Sequence, residues 1–185
     1  MKAADSQLMS ILYSPVMYIH SDKLLELHSS RNVLNDVILN HWIINQYQLE
    51  HLPDMWKPTD VVSILLFNHW QMIPIIVDLI GGYLLRERLL IDKMLLISDA
   101  KLLTFISLPL RHSVCVNKQS HITDYSSWGA AFITGLTQHL PVALRQRLSL
   151  CFSNNILLPE SYIAKTPDNI NLLRMAINYA YNTGR

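Results

Sequence analysis

The chain has 185 residues, 50% of them hydrophobic and 16% charged, with 15 basic against 14 acidic side chains. At this length a domain hides roughly 70% of the surface its unfolded form exposes, so disorder is excluded as the main state. A net charge of +1 likewise excludes nucleic-acid binding through a broad basic field, and supports no funnel for acidic substrates. Charge is low against the roughly 25% usual for soluble domains, and mean hydropathy is +0.19, so the chain either enters a membrane or reserves surface for partners.

Met1 to His20 holds one lysine, an early Asp5 and a short apolar stretch broken at Ser14-Pro15, with no small-residue cleavage site. It does not read as a signal peptide, and residues 1–10 are expected to form a flexible lead. Leu and Ile outnumber Val, and apolar/polar alternation never persists, so the expected fold is all-α: a single compact domain, 1–185, of about seven to nine short helices. Asn35 to Tyr47 is a helix with Ser30 placed as its N-cap. Its apolar positions 34, 37, 38, 42 and 44 form the expected buried stripe, with Asn35, Asn40, Asn45 and Gln46 facing away.

The Pro53 to Pro58 break carries Trp56 and ends at Thr59-Asp60, a helix start. Val61 to Ile80 is long enough to span a bilayer and contains no Lys or Arg. Asn68, His69, Gln71 and Asp78 would each need a partner in hydrocarbon, however, and Pro74 and Gly81-Gly82 punctuate the run. The same letters describe two buried helices, one ending near Trp70 to Met72 and one starting at Pro74, with a break at Gly81-Gly82. Tyr83 to Leu90 continues with Arg86, Glu87 and Arg88 outward, and Asp92 or Ser98 caps a helix ending at Leu108. Residues 111–123 read as a loop, with Val114 to Val116 extended. Asp124 or Ser126 opens a helix to about His139. Pro141 opens another, with Val142, Leu144, Leu148 and Cys151 or Phe152 inward and Arg145 and Arg147 outward. Thr166-Pro167-Asp168 supplies a cap, a first-turn proline and an N-terminal acid for a last helix that buries Leu172, Leu173, Ala176 and Ala180.

The residues that carry chemistry form no recognisable constellation. The eight histidines include no H-E-x-x-H and no pair at helical spacing. His112, Cys115 and His121 are the nearest approach to a metal or nucleophile cluster, without a further local ligand or an orienting group. The glycines fit neither a P-loop nor a dinucleotide fingerprint, so neither catalytic residues nor a cofactor is expected. Cys115 and Cys151 read as reduced, buried thiols. Asp78 on an apolar helix suits pairing with Arg86 or Arg88. Trp42, Trp56, Trp70 and Trp128 sit mainly at core positions, with Trp56 open to a partner.

Five segments, in order, resemble one family: ILYSPVMYIHSDKL (Ile11 to Leu24), LNDVILNHWIIN (Leu34 to Asn45), LFNHWQMIPIIVDLIGG (Leu66 to Gly82), LPLRHSVCV (Leu108 to Val116) and FITGLTQHLPVALRQRL (Phe132 to Leu148). They are similar to the SctK, OrgA and MxiK proteins, cytoplasmic adaptors of the type III secretion injectisome. The resemblance covers Ile11 to Phe152 and is weakest beyond Ser153; Ser14 stands where family members commonly carry Asp. It implies a helical, non-enzymatic protein at the cytosolic face of the bacterial inner membrane, without insertion. Such adaptors link the forkhead-associated-like cytosolic domain of the inner-membrane ring to the pod protein of the sorting platform, and through it the export ATPase complex. On that reading Arg86, Arg88, Arg145 and Arg147 steer partners, and Trp56 and Tyr125 anchor them. The rival readings are a small membrane protein built on residues 61–80 and a metal-dependent enzyme around His112, Cys115 and His121.

Overall fold

A computed structural model describes residues 2–25, 35–91, 99–109, 124–156 and 165–183. Among these residues the structure is all helical, with no strand and with eight α-helices of seven residues or more. The elements are α1 (Lys2–Tyr13), α2 (Ser21–Leu25), α3 (Asp36–Gln46), α4 (Val61–Asn68), α5 (Ile73–Leu84), α6 (Arg86–Ile91), α7 (Ala100–Ile106), α8 (Tyr125–Leu136), α9 (Val142–Leu150) and α10 (Pro167–Thr183). Short 3-10 turns lie at Pro15–Met17 and Trp70–Met72. The chain divides into two units, each built from two stretches of sequence: Met1–Gln71 with Thr137–Asn155, and Met72–Leu136 with Ile156–Arg185.

The first unit gathers α1 to α4 and α9. Asp60 caps α4 as its sequence suggests, taking the amide protons of Val62 and Ser63 at 3.1 and 3.3 Å, which satisfies two otherwise orphaned donors. The lead expected to be flexible is helical from Lys2. Ile11 and Leu12 are buried, and the Gln7 side chain donates to the Phe67 carbonyl at 3.3 Å, so the helix has a surface to hold it. Tyr18, Phe67 and Trp70 pack edge to face, with centroids 5.9 and 6.2 Å apart, and Trp56 leans on Phe67 at 5.7 Å.

The second unit is organised by α5 against α8. Pro74 lies in the first turn of α5, but Gly81-Gly82 is no break: the helix continues through both to Leu84. A Cβ at Gly81 would stand 1.7 Å from the Tyr125 carbonyl oxygen, and one at Gly129 1.9 Å from that of Val77. The glycines are there so that two backbones can touch, which keeps their helical cost of roughly 1 kcal/mol worthwhile. Asp78 accepts from the Ser126 hydroxyl of α8 at 2.5 Å; the side chain of Arg88, one of the two arginines expected to pair with it, lies outside the described residues. Asp124 caps α8, receiving the amides of Ser126 and Ser127. Asp99, not Asp92 or Ser98, caps α7, through the Leu102 amide at 3.0 Å; residues 92–98 lie outside the described residues. The last helix is as expected: Thr166 receives the Asn169 amide, and Leu172, Leu173, Ala176 and Ala180 are buried.

Candidate partner-binding surface

Helix α3 buries Leu39 and Ile43, and its Asn35 side chain accepts from the Val37 amide at 3.0 Å. The stripe expected in the core is turned outward instead: Val37 is 72% exposed, Ile38 53% and Trp42 40%. Leu39 and Ile43 are four apart, as are Ile38 and Trp42, so both faces carry apolar periodicity and only the neighbours decide which one is buried. Asn40, expected to face away, points at the chain instead, its Oδ1 receiving the Val16 amide at 2.9 Å. Between the outward apolar residues, His41 and Asn45 are hydrogen-bonded to each other at 2.9 Å. The outer face of α3 is therefore uncharged beyond its first turn. Ser30, the cap expected for this helix, lies outside the described residues.

The arginines separate. Arg147 is buried, only 3% exposed, rather than outward. Its Nε and Nη2 donate to the Leu12 carbonyl at 3.3 and 3.1 Å, and its Nη1 to the Glu50 and Ala143 carbonyls at 2.9 and 2.8 Å. Leu12 is in the last turn of α1, whose carbonyls have no intrahelical partner, and a planar guanidinium can serve several such oxygens together. Burial pulls the Arg147 pKa down from its ordinary value, while Tyr18 and Tyr13 push it the other way. Arg147 is thus a structural clip and is withdrawn as a steering residue. Arg145 is exposed, its Nε donating to the Leu140 carbonyl at 3.1 Å. Arg86 lies over the Tyr83 ring, 4.6 Å from its centroid. Arg88 belongs to α6, and its side chain lies outside the described residues.

Trp56 is half-buried against Phe67 and Tyr125 is half-buried on α8. Burial first, then the carboxylates of Asp78, Asp99 and Asp124, raise the Tyr125 pKa. Val142, expected inward on α9, is exposed, while Leu144, Leu148, Cys151 and Phe152 are buried. Tyr18 donates to the Ile11 carbonyl at 2.6 Å, a second tie on the end of α1.

Asp60, Ser63 and His139 meet at one point: His139 Nε2 lies 2.8 Å from Asp60 Oδ2 and 3.1 Å from Ser63 Oγ, and Ser63 also donates to Asp60. In a nucleophilic relay one imidazole nitrogen faces the acid and the other the hydroxyl. Here both partners share the same nitrogen and Ser63 is buried, so the cluster fastens the turn before α9 to the start of α4. Among the described residues no group of three or more His, Cys, Asp and Glu side chains could hold a metal ion. His112, Cys115 and His121 lie outside them, as does the loop expected at 111–123. No single described helix is long and apolar enough to cross a membrane; Val61–Asn68 and Trp70–Leu84 pass that test only as a pair broken at His69.

Among the described residues the chain is helical, and its most extended exposed apolar stripe is the outer face of α3. A family model described as bacterial type III secretion apparatus protein (OrgA_MxiK) matches residues 8–182, and the chain belongs to that family. The match runs past Ser153 through nearly all of α10, so the last helix is part of the family pattern. No curated protein and no solved structure matches the chain.

Proposed function

We propose that this chain is a non-enzymatic adaptor of the type III secretion apparatus, peripheral at the cytosolic face of the inner membrane. It links the forkhead-associated-like cytosolic domain of the inner-membrane ring to the pod protein of the sorting platform, and so indirectly to the export ATPase complex. Family membership supports the setting, and the outward stripe of α3 carries the adaptor reading. Val37, Ile38 and Trp42 keep apolar surface in water on a capped helix, and a partner that covers them recovers roughly 25 cal/mol for each Å² removed from solvent. A tryptophan one turn from two exposed β-branched residues has the make-up of an interface anchor. Arg86, Arg88 and Arg145 remain as steering charges, and Trp56 and Tyr125 as partner contacts, each on its own unit.

The test is co-expression with the ring domain and the pod protein. Wild type co-purifies with both. Ile38→Asp combined with Trp42→Ala, two exposed positions, leaves the melting temperature close to wild type and weakens one of the two partners by about tenfold or more. Failure of wild type to bind either protein overturns the reading.

A further inference from the structure

Helix α3 is apolar on two faces, so burial of apolar area leaves its rotation undecided. Turning it by about 100°, one residue's step, moves Ile38 and Trp42 to where Leu39 and Ile43 now lie. Directional bonds to polar atoms are what separate the two settings. Midway along the helix, Asn40 Oδ1 takes the Val16 amide at 2.9 Å. Val16 lies in the Pro15–Met17 turn, and Ser14 before that turn makes no capping bond from its side chain, so α3 supplies the acceptor instead. At the far end, Tyr47 closes the helix and Gln48 (φ 47) follows in left-handed backbone, a position usually given to glycine. The amides of Gln48 and Leu49 return to the Asn45 and Ile44 carbonyls at 3.2 and 3.0 Å, and Leu49 is buried. Gln146 of α9 holds this end: its Oε1 receives the Glu50 amide at 2.8 Å and its Nε2 donates to the Gln48 carbonyl at 3.5 Å. All of these residues belong to the first unit.

We propose that Asn40 and Gln146 are positioning residues that set the rotation of α3 and so select Val37, Ile38 and Trp42 as its outward face. The inference rests on the adaptor reading for the use of that face, and on the geometry alone for how it is chosen. In the turned setting, the step that buries Ile38 and Trp42 carries Asn40 away from Pro15–Met17 and puts Leu39, whose side chain has no acceptor, opposite the Val16 amide. A part-buried donor left without its partner penalises that setting. Apolar burial does not, since Ile38 and Trp42 offer no less apolar area than Leu39 and Ile43. The turned setting also displaces the left-handed end of the helix, which the bonds from Gln146 to Gln48 and Glu50 resist. Neither residue has to touch a partner; each acts through the stripe it turns outward.

The experiment is hydroxyl-radical footprinting of the full chain, read residue by residue by mass spectrometry, with the buried Trp70 and Trp128 as internal references. In wild type, Trp42 is labelled readily and Leu39 hardly at all. Asn40→Ala with Gln146→Ala puts a good helix former at both sites and shifts α3 toward the turned setting. Labelling of Trp42 then falls about twofold or more while that of Leu39 rises, and Trp70 and Trp128 stay protected. A merely structural loosening raises Trp42 and Leu39 together. Asn40→Asp, which keeps an acceptor for the Val16 amide, retains the wild-type pattern. If labelling of Trp70 shows the double variant to be unfolded, Asn40→Ala alone is read in the same way. The positioning role is overturned if Trp42 and Leu39 keep their wild-type ratio, or if both rise together. The double variant also weakens, by about fivefold or more, the same partner that Ile38→Asp with Trp42→Ala weakens. A reversed footprint with undiminished binding overturns the link between rotation and docking. An unchanged footprint in a chain that binds overturns the positioning and leaves the adaptor reading, whereas a reversed footprint in a chain whose wild type binds neither protein does the opposite.

Discussion

Replacing Arg147 with alanine removes the Nε and Nη2 donors to the Leu12 carbonyl and the Nη1 donor to that of Glu50. The Leu12 oxygen is in a buried bond, so leaving it bare costs about 1–3 kcal/mol, whereas the Glu50 oxygen is partly wet and costs about 0.5–1.5. The Ala143 oxygen adds little, because it keeps its helical partner. Shedding the desolvation of a buried cation returns part of this, and loss of the aliphatic stem takes some back. The net expectation is a loss of about 2–4 kcal/mol, or roughly 5–15 °C in melting temperature for a chain of this size. Thermal and urea unfolding followed by circular dichroism measure it. Arg147→Lys discriminates the mechanism: it keeps the charge but not the fork, and should recover less than half of the lost stability. A melting temperature for Arg147→Ala within about 2 °C of wild type, as for a surface residue, would refute the clip.

Gly81→Ala and Gly129→Ala each place a methyl inside contact distance of a backbone carbonyl that cannot swing away. The usual helical gain of about 1 kcal/mol is outweighed by overpacking of about 3 kcal/mol or more, so both variants are expected to unfold at markedly lower urea. Tyr18 sets an alkaline limit. Burial raises its hydroxyl pKa above the ordinary value of 10.0, so above that pH the unfolded chain gives up a proton the folded chain keeps, and stability falls as pH rises. Tyr18→Phe should cost about 1 kcal/mol at neutral pH, from the lost bond to Ile11, yet lose stability less steeply in stability-against-pH profiles above about pH 10. A profile identical in slope to wild type would remove Tyr18 from the account.

The helix starts at Asp60, Asp124 and Thr166 were legible because a cap acts over two or three residues, and both donor and acceptor lie in one short string. The caps read as Asp92 or Ser98 failed by a single choice: Asp99, one position further on, has the side chain that reaches the Leu102 amide. Gly81-Gly82 resembled a helix end because glycine after an apolar run is the usual stop signal. What overrides it is Gly129, far along the chain, whose partnership no local pattern encodes. Arg147 looked solvated beside Arg145, and only the position of the last turn of α1 turns it inward. For α3, two apolar faces compete, and the packing of Pro15–Met17 decides between them. The surface that supports the adaptor reading was thus hidden by the same residues that announced it.

The first unit closes only when α9 arrives, because the oxygens at Leu12 and Glu50 wait for a guanidinium almost a hundred residues or more downstream. On the ribosome, α1 to α4 therefore emerge as an unfinished surface while the whole α5 to α8 stretch is still being made. Premature stops ahead of Arg147 leave a fragment with its aromatic cluster present and its fastening absent, a natural substrate for proteolysis.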